Sequence, residues 1–124
     1  MVELQFGFEN LDVWKKAIDF ADQVIDVVEH LDTNRKHFRL IEQLEAASTS
    51  IAMNVAEGKG RYSKKEYIHF LYIARGSLYE CVTLLVIFKK RKWVSEKAFS
   101  ILEANAKEIA RMLTGLIKSI KRTL

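Results

Sequence analysis

The chain has 124 residues, one domain's length, enough to bury about two-thirds of its unfolded surface. Hydrophobic residues make up 49% and charged residues 29%, which excludes a disordered or collagen-like chain. Absent prolines and only five glycines argue against an all-β fold of many hairpins.

The single cysteine, Cys81, rules out an intramolecular disulfide and fits a reducing compartment. The first ten residues, MVELQFGFEN, lack the basic start and apolar run of a signal peptide. No run of about 18 apolar residues exists; the nearest, Leu78–Phe88, is about half a membrane span and contains Glu80. The expectation is a soluble, cytoplasmic protein with no membrane partner.

The net charge of +4 conceals an asymmetry. Residues 1–34 carry eight acids and two bases, and residues 35–124 carry eighteen bases and eight acids. Such sorting points to a basic surface for a polyanion, or to acidic and basic faces meeting between subunits. Ordinary solvated helix faces are the plainer account.

Helix A is expected over about 11–31, with Asn10 as its N-cap. Its apolar seam reads Leu11, Trp14, Ile18, Ala21, Ile25, Val28, at alternating spacings of three and four. Asp12, Asp19, Asp22, Asp26 and Glu29 form an acidic strip beside that seam. The polar segment Asp32-Thr33-Asn34-Arg35-Lys36 connects to helix B, expected over about 37–57. Its seam is His37, Leu40, Leu44, Ala47, Ile51 and Val55, and its small-residue middle allows close approach of a neighbour. Gly58 reads as its C-cap, with φ > 0.

Lys59-Gly60-Arg61-Tyr62 is the second connection. Ser63 and Glu66 then form a capping box at the start of helix C, about 64–89. That helix is apolar nearly all round, so it is either central or covered by another subunit. No helix of a bundle this small is fully central, which favours another subunit. Gly76 costs about 1 kcal/mol against alanine inside a helix. Close packing of Ala74, Gly76 and Ser77 against helix B would offset that. Lys89-Lys90-Arg91-Lys92-Trp93 is the third connection, and Ser95 caps helix D, about 96–122. The seam of helix D is Phe99, Leu102, Ala106, Ile109, Leu113, Leu116 and Ile120.

Four helices of roughly 20 residues with short connections make an all-α, antiparallel up-down-up-down four-helix bundle, a single domain over 1–124. That topology sorts the cations into two ends. One collects Arg35, Lys36, Arg39, Lys89, Lys90, Arg91 and Lys92. The other collects Lys59, Arg61, Lys64, Lys65, Lys118, Lys121 and Arg122. Lys107 and Arg111 continue the stripe of Lys118, Lys121 and Arg122 opposite the apolar face of helix D.

Catalytic and metal chemistry find little here. Di-metal carboxylate bundles need Glu-x-x-His twice, and Glu66-Tyr67-Ile68-His69 stands once. Cys81 lies among Val82, Leu84 and Leu85, where a thiol is inert. Nothing implies a cofactor, a metal or a small-molecule substrate, and the expectation is a non-enzyme. Gly58-Lys59-Gly60-Arg61 lacks P-loop spacing. It is either a cap and tight turn, or a place where helix C's free amides meet phosphates beside Lys64 and Lys65. Lys89–Trp93 is either cations at a helix C-terminus with the indole folded on the core, or phosphate contacts beside a base-stacking ring.

Two stretches resemble a known family. They are Gln43-Leu44 with Ala47–Gly58 and Arg61-Tyr62-Ser63, and Phe70–Glu80 after them. The opening Phe8–Ala17 fits as well. The chain resembles the bacterial proteins encoded by intervening sequences in 23S ribosomal RNA genes, often labelled S23 ribosomal proteins. Ser50-Ile51-Ala52-Met53-Asn54-Val55-Ala56-Glu57-Gly58 is the specific part of the match. The resemblance implies a four-helix bundle in a ring-like homo-oligomer, a pentamer in known relatives, and does not imply a component of working ribosomes. The chain is also similar to accessory proteins of diversity-generating retroelements, which bind a reverse transcriptase and nucleic acid. It departs from its relatives at Asn34-Arg35-Lys36, where a proline is usual, and at Glu45-Ala46, where bases are common. The expected function is therefore RNA or other nucleic-acid binding through the basic ends. The alternative is a scaffold that docks an acidic protein.

Overall fold

The computed structural model describes residues 6–33 and 37–124. Its four long helices are α1 (Asp12–Glu29), α2 (Phe38–Lys59), α3 (Lys64–Lys90) and α4 (Glu96–Lys121), preceded by a 3-10 turn, Gly7–Asn10. Each helix packs on two others: α1 and α3 both lie against α2 and α4. Cross-helix pairs show how they run. Lys16 meets Glu108 and Gln23 meets Asn105. Ser50 meets Ser77, Arg75 meets Thr114, and Lys64 meets Thr123. Between α1 and α4, and between α3 and α4, one number rises as the other falls, so these neighbours are antiparallel, and the four helices form a bundle.

The core lies along the bundle axis. Leu44, Ala47, Ile51 and Val55 of α2 are buried, as are Phe99, Leu102, Ala106, Ile109 and Leu113 of α4, all on the expected seams. Each large side chain so buried contributes roughly 1.5–3 kcal/mol. The seam of α1 is displaced by one residue. Val13, Ala17, Phe20 and Val24 enter the core with Ala21, while Trp14 and Ile25 are half-buried and Ile18 is exposed. Both stripes are apolar with the same spacing. The bulk of Phe20 goes to the centre, and Trp14 and Ile18 line the junction with α2.

Helix ends follow local chemistry with three corrections. Ser63 Oγ accepts from the Glu66 backbone N–H at 3.1 Å, and Ser95 Oγ from the Ala98 N–H at 3.1 Å. The glutamate's half of the Ser63 box is not formed. Asn10 does not cap α1: it belongs to the 3-10 turn, and Leu11 precedes the helix without a side-chain cap. A tilted contact of the Phe8 ring with Trp14, 5.3 Å between centroids, holds the entry instead.

Gly58 is likewise not a cap. It is buried inside α2, has no positive φ, and Gly60 follows the last helical residue. Its role is close approach. A Cβ there would stand 2.8 Å from Phe70 Cβ, 3.1 Å from Tyr67 Cδ1 and 3.2 Å from the Tyr67 carbonyl. The α2–α3 crossing is therefore set by a glycine, and the Ser50–Ser77 hydroxyl bond at 2.9 Å lies further along it. Gly76 does not join this packing, since nothing lies within 4 Å of where its Cβ would be. Ala74 is fully buried, and Gly76 faces outward.

That outward face of α3 is apolar. Tyr72, Ile73, Tyr79, Val86 and Ile87 are all exposed along it. With apolar residues on both faces, α3 contains an 18-residue window (mean hydropathy 1.5) that by length and composition could cross a membrane, the one such helix among the described residues. In the bundle it packs along α2 and α4. A mean over such a window tolerates Arg75 and Glu80, which interrupt any continuous apolar run.

Candidate nucleic-acid interface

The two basic ends lie at opposite ends of α3, a helix of 27 residues, so roughly 40 Å apart. Lys59 is the last residue of α2, Arg61 lies in the connection, and Lys64 and Lys65 open α3. Lys118 and Lys121 close α4, and Arg122 follows. The fold joins the two groups directly: Lys64 Nζ donates to the Thr123 carbonyl at 3.1 Å. Lys121 Nζ donates to Tyr72 Oη at 2.7 Å, which pulls that phenol below its ordinary pKa.

Of these seven cations only Arg61 has a carboxylate within ion-pairing distance among the described residues, that of Glu57 one turn back. Its guanidinium also covers the Phe70 ring at 4.6 Å. Lys59 Nζ stands 5.8 Å from the Tyr67 ring centre. Exposed ion pairs and ring contacts of this kind are weak, so they orient the side chains without neutralising the surface. Among the described residues, acids at this end are few: Glu57 and Glu66 near the connection, Glu9 and Asp12 beside the start of α1. Lys107 and Arg111 are exposed along α4, with Lys107 paired to Glu103 at 3.8 Å.

The other end is differently built. Lys89 and Lys90 close α3, Arg91 follows, and Lys92 takes a left-handed φ of 63°. Lys89 Nζ lies 4.3 Å from the Phe99 ring centre, and Arg91 lies over Trp93 at 5.8 Å. Trp93 is folded onto the bundle, 4.4 Å from the His37 ring and edge-on to Phe88 at 5.1 Å. Its carbonyl accepts the Asp32 N–H at 3.2 Å. Trp93 is half-buried, which fits the reading of an indole folded onto the core. Asp26, His30, Asp32, Lys92 and Trp93 line a groove of about 430 Å³ here, so acids are mixed with the bases. His30 Nδ1–H donates to the Asp26 carbonyl at 2.8 Å, and that bond, with the Asp26 charge, holds the imidazole above its ordinary 6.5. Arg39 is exposed on α2; Arg35 and Lys36, assigned to this end, lie outside the described residues.

The remaining chemical candidates have clear placements. Burial, then the Glu80 charge, pushes the Cys81 thiol up to about 12. A thiol so placed stays protonated and is a poor nucleophile. Glu66 and His69 are both exposed, and His69 is edge-on to Phe70. Among the described residues no group of three or more His, Cys, Asp or Glu side chains is arranged to hold a metal ion.

One residue stands out that spacing did not mark. Tyr62, in the connection between α2 and α3, is 105% exposed, more than any other large apolar side chain among the described residues. Its signal was composition: an aromatic set between Arg61 and Lys64 in a four-residue connection.

The pattern of the 23S rRNA-intervening sequence protein family matches residues 9–115. Among solved structures, the chain is similar to a protein of unknown function from the S23 ribosomal protein family of Bacteroides thetaiotaomicron VPI-5482. The likeness, at 24% identity, has a TM-score of 0.80 and covers 86% of this chain and 98% of that one; it is a likeness of fold. A search of curated proteins returns no match. The matched residues run from the 3-10 turn through α1, α2, α3 and most of α4, so the chain belongs to the 23S rRNA-intervening sequence protein family.

Proposed function

We propose that the protein is a non-enzymatic, homo-oligomeric bundle that binds RNA through the end formed by the α2–α3 connection and the C-terminus of α4. One observation carries this reading. Seven cations from two separate segments converge there, and six of them have no carboxylate partner among the described residues. Such a surface gains affinity by displacing counterions from phosphates. The opposite end, where Asp26 and Asp32 share the groove with Lys92, suits a polyanion less. The family's tie to 23S rRNA genes is consistent with an RNA partner.

Assembly is part of the proposal. Apolar grooves lie on opposite sides of the bundle: one between α1 and α2, lined by Trp14, Ile18, Ala52 and Met53, and one between α3 and α4, lined by Leu78, Tyr79, Val82 and Ala106. Exposed acids of α1 flank the first, and Lys107, Arg111 and Lys118 of α4, outnumbering Glu103, which pairs with Lys107, flank the second. These sides are complementary, so a second copy fits the α3–α4 side with its α1–α2 side. Such a contact repeats around a ring. With the ring axis along the helices, every copy presents its basic end on the same face, and weak sites add.

The test is binding of a labelled RNA to purified, nuclease-treated protein across a salt series, with light scattering on the same sample. The expected result is an assembly larger than the 14.4 kDa chain, with log affinity falling linearly with log salt. A monomer at micromolar concentration contradicts the assembly. Absence of RNA binding at about 100 mM salt, where a multivalent basic surface still holds RNA, contradicts the function.

A further inference from the structure

We infer that the RNA recognised at this end is single-stranded, and that Tyr62 is the platform on which one of its unpaired bases stacks. The inference rests on the proposed RNA-binding role of the α2–α3 end. It starts from an imbalance. Position 62 has only to help reverse the chain, and a polar residue would do that without exposing a ring to water. Tyr62 is instead 105% exposed, so neither of its faces packs on the bundle.

Two aromatics that also stand beside cations are already engaged. Tyr72 is engaged by Lys121 and by Arg75, at 2.7 Å and 4.9 Å. Trp93 is covered by His37 and Phe88. Tyr62 stands beside Arg61, Lys64 and Lys65, and Lys64 ties this connection to the end of α4 with Lys118, Lys121 and Arg122.

A free ring within a field of phosphate-binding cations is the combination that holds single strands. Cations take the backbone, and the ring takes a base face. A duplex keeps its bases stacked on each other, and offers the ring nothing but its backbone. The arrangement is sequence-tolerant, because every base has a π face. Only the tyrosine's ring is needed, so phenylalanine or tryptophan should serve.

The experiment compares an unstructured RNA oligonucleotide with a duplex RNA of the same length, by fluorescence anisotropy, for wild type, Tyr62→Ala and Tyr62→Phe. Tyr62→Ala should bind the single strand about tenfold or more weakly, the loss expected for one stacked base. Its log–log salt slope should match wild type, because no charge is removed. Duplex binding should be unchanged, and Tyr62→Phe should restore single-strand affinity. In Tyr62→Trp, emission from the new exposed indole should be quenched by the single strand and not by the duplex. Wild-type single-strand affinity in Tyr62→Ala, or an equal loss toward the duplex, overturns the inference and leaves the basic end as an RNA site. Failure of wild type to bind either RNA overturns both.

Discussion

Replacing Gly58 by alanine tests the account of the α2–α3 crossing. The new Cβ would stand 2.8 Å from Phe70 Cβ, with Tyr67 Cδ1 and the Tyr67 carbonyl at 3.1 and 3.2 Å. Phe70 Cβ is tied directly to the α3 backbone and cannot swing aside, so the two helices must separate. Overpacking of a well-filled contact costs about 1–3 kcal/mol. Alanine regains about 1 kcal/mol of helix propensity, because Gly58 is helical. The clash falls on rigid atoms, so the upper half of the range applies, and the net loss is about 1–2 kcal/mol. For a chain of this size that lowers Tm by roughly 4–8 °C. Gly115→Ala is the matched control. Gly115 is exposed within α4, with nothing inside 4 Å of its Cβ position. There the same change should stabilise by about 0.5–1 kcal/mol. Denaturant melts of both variants decide the matter. If Gly58→Ala is as stable as wild type, the close approach does not set the crossing.

Two further outcomes follow from single side chains. The Tyr67 hydroxyl is buried and has no hydrogen-bond partner among the described residues, and burial raises its pKa. Tyr67→Phe removes that unsatisfied group and should raise stability by about 1 kcal/mol, read from the urea midpoint; a lower midpoint would reveal a partner for the hydroxyl. The His30 imidazole should titrate above 6.5 by NMR. Its contribution to stability is then present below the unfolded pKa and lost as pH rises through the raised folded value. His30→Ala should abolish that pH dependence, and a titration at or below 6.5 would show that the bond to the Asp26 carbonyl is absent.

The bundle was legible where one apolar stripe had no rival. In α2 and α4 the seams Leu44–Val55 and Phe99–Leu113 enter the core as spaced. In α1 two stripes of equal spacing competed, and periodicity has no means of choosing between Trp14 and Phe20 for the centre. Gly58 reads as a helix end in the sequence because glycine serves both as a cap and as a close-approach residue. Only the position of Phe70, twelve residues on, separates the two roles. The convergence of Lys59–Lys65 with Lys118–Arg122 followed from topology alone. The fate of the aromatics did not. Trp93 and Tyr62 each stand beside bases in a connection, and it is the tertiary packing of His37 and Phe88 that occupies one ring and leaves the other free.

The most direct test of the central claim is the salt slope of single-stranded RNA binding in a Lys59→Ala/Arg61→Ala/Lys64→Ala/Lys65→Ala variant. Each phosphate contact to a single strand contributes about 0.7 to the log–log slope, so losing four should flatten it by up to about 3. Affinity should fall with it, while light scattering shows the wild-type assembly. Glu96→Ala, an exposed acid in the first turn of α4 at the opposite end of the bundle, serves as the control and should not weaken binding. A correctly assembled quadruple variant that keeps both the wild-type affinity and the wild-type slope would contradict the assignment of RNA binding to this end of the bundle.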